Sequence, residues 1–222
     1  LAAKHHKNGA LHTLAQMRKD LGVEFCRTAS EKNPYVAGPL KRTDCSLVSD
    51  GAAALVLTDV ETALSMQKAV AFRAAVHVND YLPISKRDIL NFDGCEVAWK
   101  QALSHANLGL KDLSFVETHD CFTIAELIEY EAMGLASRGE GARAALEGWT
   151  QKDGTLPVNP SGGLKSKGHP IDATGVSMHV MASMQLTGTA GDMQLANPKL
   201  AGIFNMGGAA VANYVSILEP LR

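Results

Sequence analysis

The sequence predicts an α/β fold, and three observations carry that expectation. Apolar runs of strand length at residues 69–78, 112–118, 200–205 and 209–218 are interleaved with helical periodicity at 94–106, 123–134 and 171–186. The segment over 123–134 places apolar residues at Ile124, Leu127, Ile128 and Met133 and closes on Gly134, as a helix does. Residues 119–122 then form a strand-to-helix turn carrying a histidine and a cysteine, at the strand edge where open α/β sheets bind ligands.

In chain order, residues 1–45 are polar and punctuated by Asn8-Gly9, Asn33-Pro34 and Gly38-Pro39. They predict loop-rich structure outside the main core, with a helical pattern at the start and a helix over residues 12–20. Residues 49–59, in which Gly51 leads three alanines and Leu55-Val56-Leu57, read as a buried strand. Residues 137–158 are charged and glycine-dotted and predict a surface excursion. A glycine-bearing loop over residues 161–170 leads into the helix from Ile171, with Pro170 close to its first turn, where proline is tolerated. The run from Gly51 echoes the run from Gly208, which fits equivalent last strands of two duplicated halves.

With 222 residues, 46% of them hydrophobic, the chain has room for one large or two small domains around a real core. A net charge of −2 without a basic run lacks the footprint of a nucleic-acid binder. Polar residues such as Asn205 and Asn213 break the apolar stretches, so no bilayer-length span is predicted, and the start does not resemble a signal peptide. Cys26, Cys45, Cys95 and Cys121 form no CxxC pair and have no metal-ligand spacing, so reduced thiols, no metal site and a cytoplasmic setting are expected. The chain opens on leucine within a helical pattern, and further sequence upstream is expected.

Three segments carry candidate chemistry. Cys121 stands just before a helix start, whose N–H groups and dipole are expected to lower a thiol pKa and make it reactive. His169, between Gly168 and Pro170, reads either as a general base or as a capping loop histidine, and its pairing with His119 in a similar turn favours the base. The run Asn205, Met206, Gly207, Gly208 after a strand either presents N–H groups to an oxyanion or is a simple bulge. Gly162 and Gly163 belong to no recognised phosphate cradle. His5, His6, His12, His77, His105 and His179 read as satisfied or solvated, and Met178, Met181 and Met184 as packing.

Taken together, His119-Asp120-Cys121-Phe122, Gly168-His169-Pro170, Asn205-Met206-Gly207-Gly208, the segment from Asn8 and the segment from Cys45 to Ala54 closely resemble the thiolase superfamily. The resemblance spans nearly the whole chain and is strongest to sterol-carrier-protein type thiolases with an HDCF loop. It implies a thiolase fold: two βαβαβαββ halves with mixed five-stranded sheets layered αβαβα, plus a loop domain. The chain then divides into a loop-domain remnant (1–48), the last strand of the N-terminal domain (49–60) and the C-terminal domain (61–222).

The same resemblance implies roles. His169 would activate a nucleophilic cysteine, His119 would stand in an oxyanion hole, and Cys121 would be the acid/base acting on the α-carbon of an acyl-CoA. Gly207 would be a backbone donor of a second oxyanion hole, and Ser46 and Phe122 would line the pantetheine channel. Most thiolases have a cysteine where this chain has Asn205, so Cys121 must supply that thiol. The acylated nucleophile belongs to the family's first half, and none of the four cysteines has its context. The implied activity is acyl-CoA acyl transfer, thiolytic cleavage of a 3-ketoacyl-CoA or the reverse condensation, in fatty acid or sterol metabolism, incomplete in the isolated chain. CoA and acyl-CoA are substrates, with no permanently bound cofactor. A homodimer or tetramer, or a separate N-terminal thiolase chain, would complete the enzyme, and 222 residues alone are not expected to be a stable monomer. Two alternatives stand beside this: a thiolase-fold aldolase with an OB-fold partner, and a non-catalytic thiolase-like subunit. The ending of the sequence, from Leu218 to Arg222, is not a peroxisomal signal, consistent with a cytoplasmic expectation.

Overall fold

The computed structural model describes residues 1–221. Its elements in chain order are α1 (Ala2–Ala10), α2 (Gly22–Arg27), β1 (Tyr35–Ala37), β2 (Leu40–Lys41), α3 (Val60–Ser65), β3 (Val70–Asn79), α4 (Asp93–Ala106) and β4 (Phe115–Glu117). They continue with α5 (Thr123–Ala132), α6 (Gly141–Leu146), α7 (Gly163–Ser166), α8 (Thr174–Leu186), β5 (Ala201–Gly207) and β6 (Ala212–Pro220). Four strands form the main sheet in the order β3-β6-β5-β4, antiparallel except for the parallel pair β4 and β5. The mixed sheet and its helices match the expected fold class, with four strands among the described residues where the intact fold implies five.

Period-two alternation along the strands sends side chains to two helix layers. Phe204 and Met206 of β5 and Val215 and Ile217 of β6 pack with Trp99 and Ala102 of α4 and with Ile128 of α5. Ala201, Ile203 and Leu218 face the other way and pack against Met178, Ala182 and Leu186 of α8. The sheet is therefore a sandwich filling, and its β4 and β5 ends carry the turns of interest.

Four sequence expectations need correction. Residues 49–60 form no strand: Leu55, Val56 and Leu57 are 39%, 90% and 76% exposed, and no neighbouring strand among the described residues pairs with them. A strand's hydrogen bonds come only from a neighbour, so an apolar run without one stays irregular. Residues 12–20 form turns and not a helix, because the Gln16 and Met17 N–H groups donate to the Lys167 and Ser166 carbonyls, both at 3.0 Å. The excursion over 137–158 ends inside: Leu156 and Val158 are buried, and Val158 bridges Val116 along the free edge of β4. Finally, the amino-terminal segment is not peripheral, since α1 buries Lys4, His5, His6 and Asn8.

Helix α1 crosses α7 with backbones nearly touching. A Cβ on Gly9 would lie 1.9 Å from Ser166 Oγ and 2.5 Å from Ser166 Cβ, and one on Gly162 would lie 2.5 Å from Gly9 Cα. Alanine favours helix over glycine by up to about 1 kcal/mol. Overpacking a closed contact costs about 1–3 kcal/mol and wins here. Gly9→Ala is expected to lower the urea unfolding midpoint despite the better helix former, and an unchanged or raised midpoint would show that the crossing yields.

Candidate active site

Each candidate side chain is positioned by a different piece of the fold. His119 follows β4, Asn205 lies within β5, which pairs with β4, and His169 sits in the loop between α7 and α8. They converge. His119 Nδ1 lies 2.6 Å from Asn205 Oδ1, and the His119 and His169 rings meet edge to face with centroids 5.0 Å apart. Asn205 also opens, with Gly175 and Tyr214, on a cleft of about 520 Å³.

A hydrogen-bond chain fixes the state of His169. Thr174 Oγ donates to the Pro170 carbonyl at 2.8 Å, which uses its only proton. The hydroxyl oxygen must then accept from His169 Nδ1, 2.8 Å away. The neutral ring therefore presents Nε2 as a lone pair. Burial lowers the His169 pKa, with Lys167 and Lys165 adding to that and Asp120 opposing it, so the ring is neutral near pH 7. Ser49 Oγ accepts from the His169 backbone N–H at 2.9 Å and anchors the loop.

His119 is more deeply held. Burial pushes its pKa down to about 4, against the Asn205 hydrogen bond. With Asn205 Oδ1 facing it, Nδ1–H of the neutral ring donates and Nε2 is the lone pair; an Nε2–H requires the Asn205 amide to turn its NH₂ toward Nδ1. Asn205 thus sets the His119 tautomer.

Cys121 departs from the sequence expectation. Its pKa is raised to about 12, first by burial and then by the nearby Glu129 carboxyl, while the Phe122 N–H lowers it only slightly. The thiol is fully protonated near pH 7, because desolvation outweighs the helix start. The Cys121 carbonyl accepts from the Ser46 N–H at 2.8 Å, and Cys45 bridges Phe122 in antiparallel fashion, so the segment at 45–47 is stitched to the turn. Phe122 is partly exposed, and Gly207 ends β5 two residues beyond Asn205. All four cysteines are free thiols.

Beneath the turn lies a polar network that the sequence did not reveal. Asp120 Oδ1 accepts from Asn159 Nδ2 at 3.0 Å and from the Leu164 N–H at 2.8 Å, and Lys165 Nζ donates to the Asp120 carbonyl at 2.5 Å. These bonds tie the histidine turn to α7, which leads into His169. A Cβ at Gly163 would sit 2.6 Å from the Asp120 carboxylate at a φ of +58°, so glycine is required there. Glu126 accepts from Lys4 Nζ at 3.0 Å, His5 Nε2 at 2.5 Å and the Tyr130 hydroxyl at 2.5 Å. His5, Asp120 and Glu126 lie close enough to suggest a metal site. The ammonium groups of Lys4 and Lys165 already balance the two carboxylates, so a divalent cation would add uncompensated charge.

Burial lowers the pKa of His5, His6, His12, His119, His169 and His179 below the ordinary value. Below about pH 6.5 the unfolded chain binds protons that these folded imidazoles refuse, so stability falls with acidification. Glu117, raised to about 7 by burial, acts in the opposite sense between its ordinary carboxylate range and pH 7, and Glu129, which burial also raises, acts in the same sense as Glu117. A fully depressed imidazole contributes up to about 1.4 kcal/mol between pH 7.5 and 5.5 and a raised carboxyl up to about twice that, so six imidazoles outweigh two carboxyls. Unfolding free energy is expected to drop by about 1–3 kcal/mol between pH 7.5 and 5.5, read from urea melts. A flat or rising profile would mean that the imidazoles are protonated in the fold.

The chain matches the thiolase C-terminal domain-like family over residues 75–220. It belongs to that family. It is 35% identical to an acetyl-CoA acetyltransferase of Methanothermobacter thermautotrophicus over 97% of its own length and 56% of that protein's. Sterol carrier protein 2 of Bos taurus is 34% identical over 94% of the chain and 39% of that protein. The chain therefore spans about half the length, or less, of these thiolase relatives. Among solved structures, the Ltp2-ChsH2(DUF35) aldolase superposes with a TM-score of 0.84 at 19% identity, over all of this chain and 57% of that one. A monomeric SCP2-thiolase like protein of Mycobacterium smegmatis gives 0.70 at 17% identity, over 98% and 44%. These two likenesses concern the thiolase fold. Among the described residues, no helix is long and apolar enough to cross a membrane.

Proposed function

We propose that this chain supplies the proton-handling and oxyanion-binding half of a thiolase-type site acting on acyl-CoA esters. The single observation that carries the reading is the chain from Pro170 through Thr174 to His169, which leaves a lone-pair Nε2 beside His119 and Asn205.

In the cleavage direction, His169 Nε2 accepts the proton of an attacking cysteine thiol, which adds to the 3-keto carbon. That thiol comes from outside the four cysteines here, from a partner or a longer form of the protein. The Cα–Cβ bond breaks, its electron pair forms the enolate of the shorter acyl-CoA, and Cys121 Sγ–H delivers a proton to the α-carbon. The CoA thiol then gives its proton to the Cys121 thiolate as its sulfur attacks the enzyme thioester, and the released cysteine takes its proton back from His169. With the Asn205 amide turned so that its NH₂ donates to His119 Nδ1, His119 Nε2–H joins the backbone N–H of Gly207 in stabilising the oxygen charge that develops, where such donors are worth about 3–4 kcal/mol each. Ser46 and Phe122 line the approach of the pantetheine arm. Splitting the transfer through a thioester replaces one difficult step by two easier ones.

Exchange of acetyl-CoA α-protons in D₂O tests this without the missing nucleophile, because it needs only the acid/base and the oxyanion donors. Deuterium incorporation, followed by mass spectrometry, is the expected result. Absence of exchange, both alone and with a nucleophile-bearing thiolase chain present, would sink the reading. Retro-aldol cleavage of a CoA ester in place of exchange would favour the aldolase alternative.

A further inference from the structure

A cavity of about 240 Å³ lies on α1 and the segment at 42–47, and shares no lining residue with the His119, His169 and Asn205 cluster. Lys19, Lys32 and Arg42 stand exposed around it, and none of the three makes an ion pair among the described residues. Among the described residues no carboxylate side chain lines it. Met17, Phe25 and Leu47, each half-buried, provide apolar walls. At the buried end lie Lys165, whose ammonium is already engaged with Asp120, and His6. His6 is almost wholly buried, yet its Nδ1 has no hydrogen-bond partner among the described residues. A buried polar atom left unpaired costs about 1–3 kcal/mol, which a ligand atom placed there would recover.

We propose that this cavity binds a short carboxylate with a hydroxyl or keto oxygen at its far end. The carboxylate sits among the three unpaired cations, the methylene chain lies on Met17, Phe25 and Leu47, and the far oxygen pairs with His6 Nδ1. The volume falls below the roughly 300–1,000 Å³ of a drug-sized pocket, which excludes a whole coenzyme A molecule. The cationic rim rejects neutral ligands, and the apolar walls disfavour inorganic anions, which would stay hydrated. Cys45, also on the wall, provides a reporter of occupancy.

Isothermal calorimetry with ω-hydroxyhexanoate as the probe tests the site, with hexanoate, hexanediol and inorganic phosphate as comparisons. Saturable binding of the hydroxy acid is expected, weaker for hexanoate and undetectable for hexanediol and phosphate. The probe should also slow alkylation of Cys45. Lys32→Ala/Arg42→Ala, a double change of exposed side chains that leaves the fold intact, is expected to weaken binding by about tenfold or more. The proposal is overturned by no binding at millimolar probe, by unchanged affinity in the double variant, or by equal affinity for hexanoate. Phosphate binding as tightly as the probe would overturn it as well.

Discussion

Lys4→Met is expected to be among the most destabilising single changes in this chain, at about 3–5 kcal/mol. The ammonium of Lys4 donates to both Glu126 Oε1 and the Tyr130 hydroxyl, and both partners are fully buried. Burial alone would raise the Glu126 pKa, but His5, Lys4 and the Tyr130 hydroxyl hold it well below the usual carboxylate range. His5 Nε2 meets the same carboxylate at 2.5 Å, burial lowers the His5 pKa, and its Nδ1 has no partner among the described residues. Lys4 is then the counter-charge in contact with the carboxylate. Methionine keeps the volume and removes the charge, so the loss reports an uncompensated buried carboxylate. Adding Glu126→Gln removes that charge and is expected to recover a sizeable part of the loss. A single-variant loss below about 1 kcal/mol, the range of exposed pairs, would show that water reaches the network.

This network marks the limit of what periodicity can reveal. The pattern over 123–134 correctly predicts helix α5 and buries Ile128 and Met133, but the buried face extends beyond the apolar stripe. Ile124 is 46% exposed, whereas Glu126, Glu129 and Tyr130 are wholly buried. A carboxylate is legible as buried only when its partner is known, and Lys4 is 122 residues away in sequence. For the same reason the histidines of α1 gave no sign of lying inside. What needs only local information was legible: β5 and β6 from their apolar runs, α4 and α8 from their spacing, and the two histidine turns from their place between strand, loop and helix. The convergence of His119, His169 and Asn205 followed from a motif resemblance and is now a set of distances. The run at 49–60 shows the converse failure. Its composition favours a strand, but a strand is a property of two segments, and the second is absent among the described residues.

Cys121→Ala is expected to reduce acetyl-CoA α-proton exchange by about 10²–10⁴-fold, the usual contribution of a positioned acid/base. The size of the drop tests whether the thiol moves the proton, and the pH profile tests how. Burial and Glu129 raise the Cys121 pKa to about 12, so the thiolate is a minor species between pH 6 and 9. Proton abstraction needs that minor species and should speed up steadily with pH between 6 and 9, close to tenfold per unit, without a plateau near the ordinary thiol pKa. Delivery of a proton to an enolate needs the major species and should be nearly independent of pH over the same range. A thiolate so reluctantly formed is a strong base, suited to a weakly acidic carbon, and the protonated resting state protects the sulfur from alkylation and oxidation. Full exchange in Cys121→Ala would reassign the acid/base. A plateau at pH 7–8 in the wild type would instead show a thiol activated by the helix start, with desolvation the weaker effect.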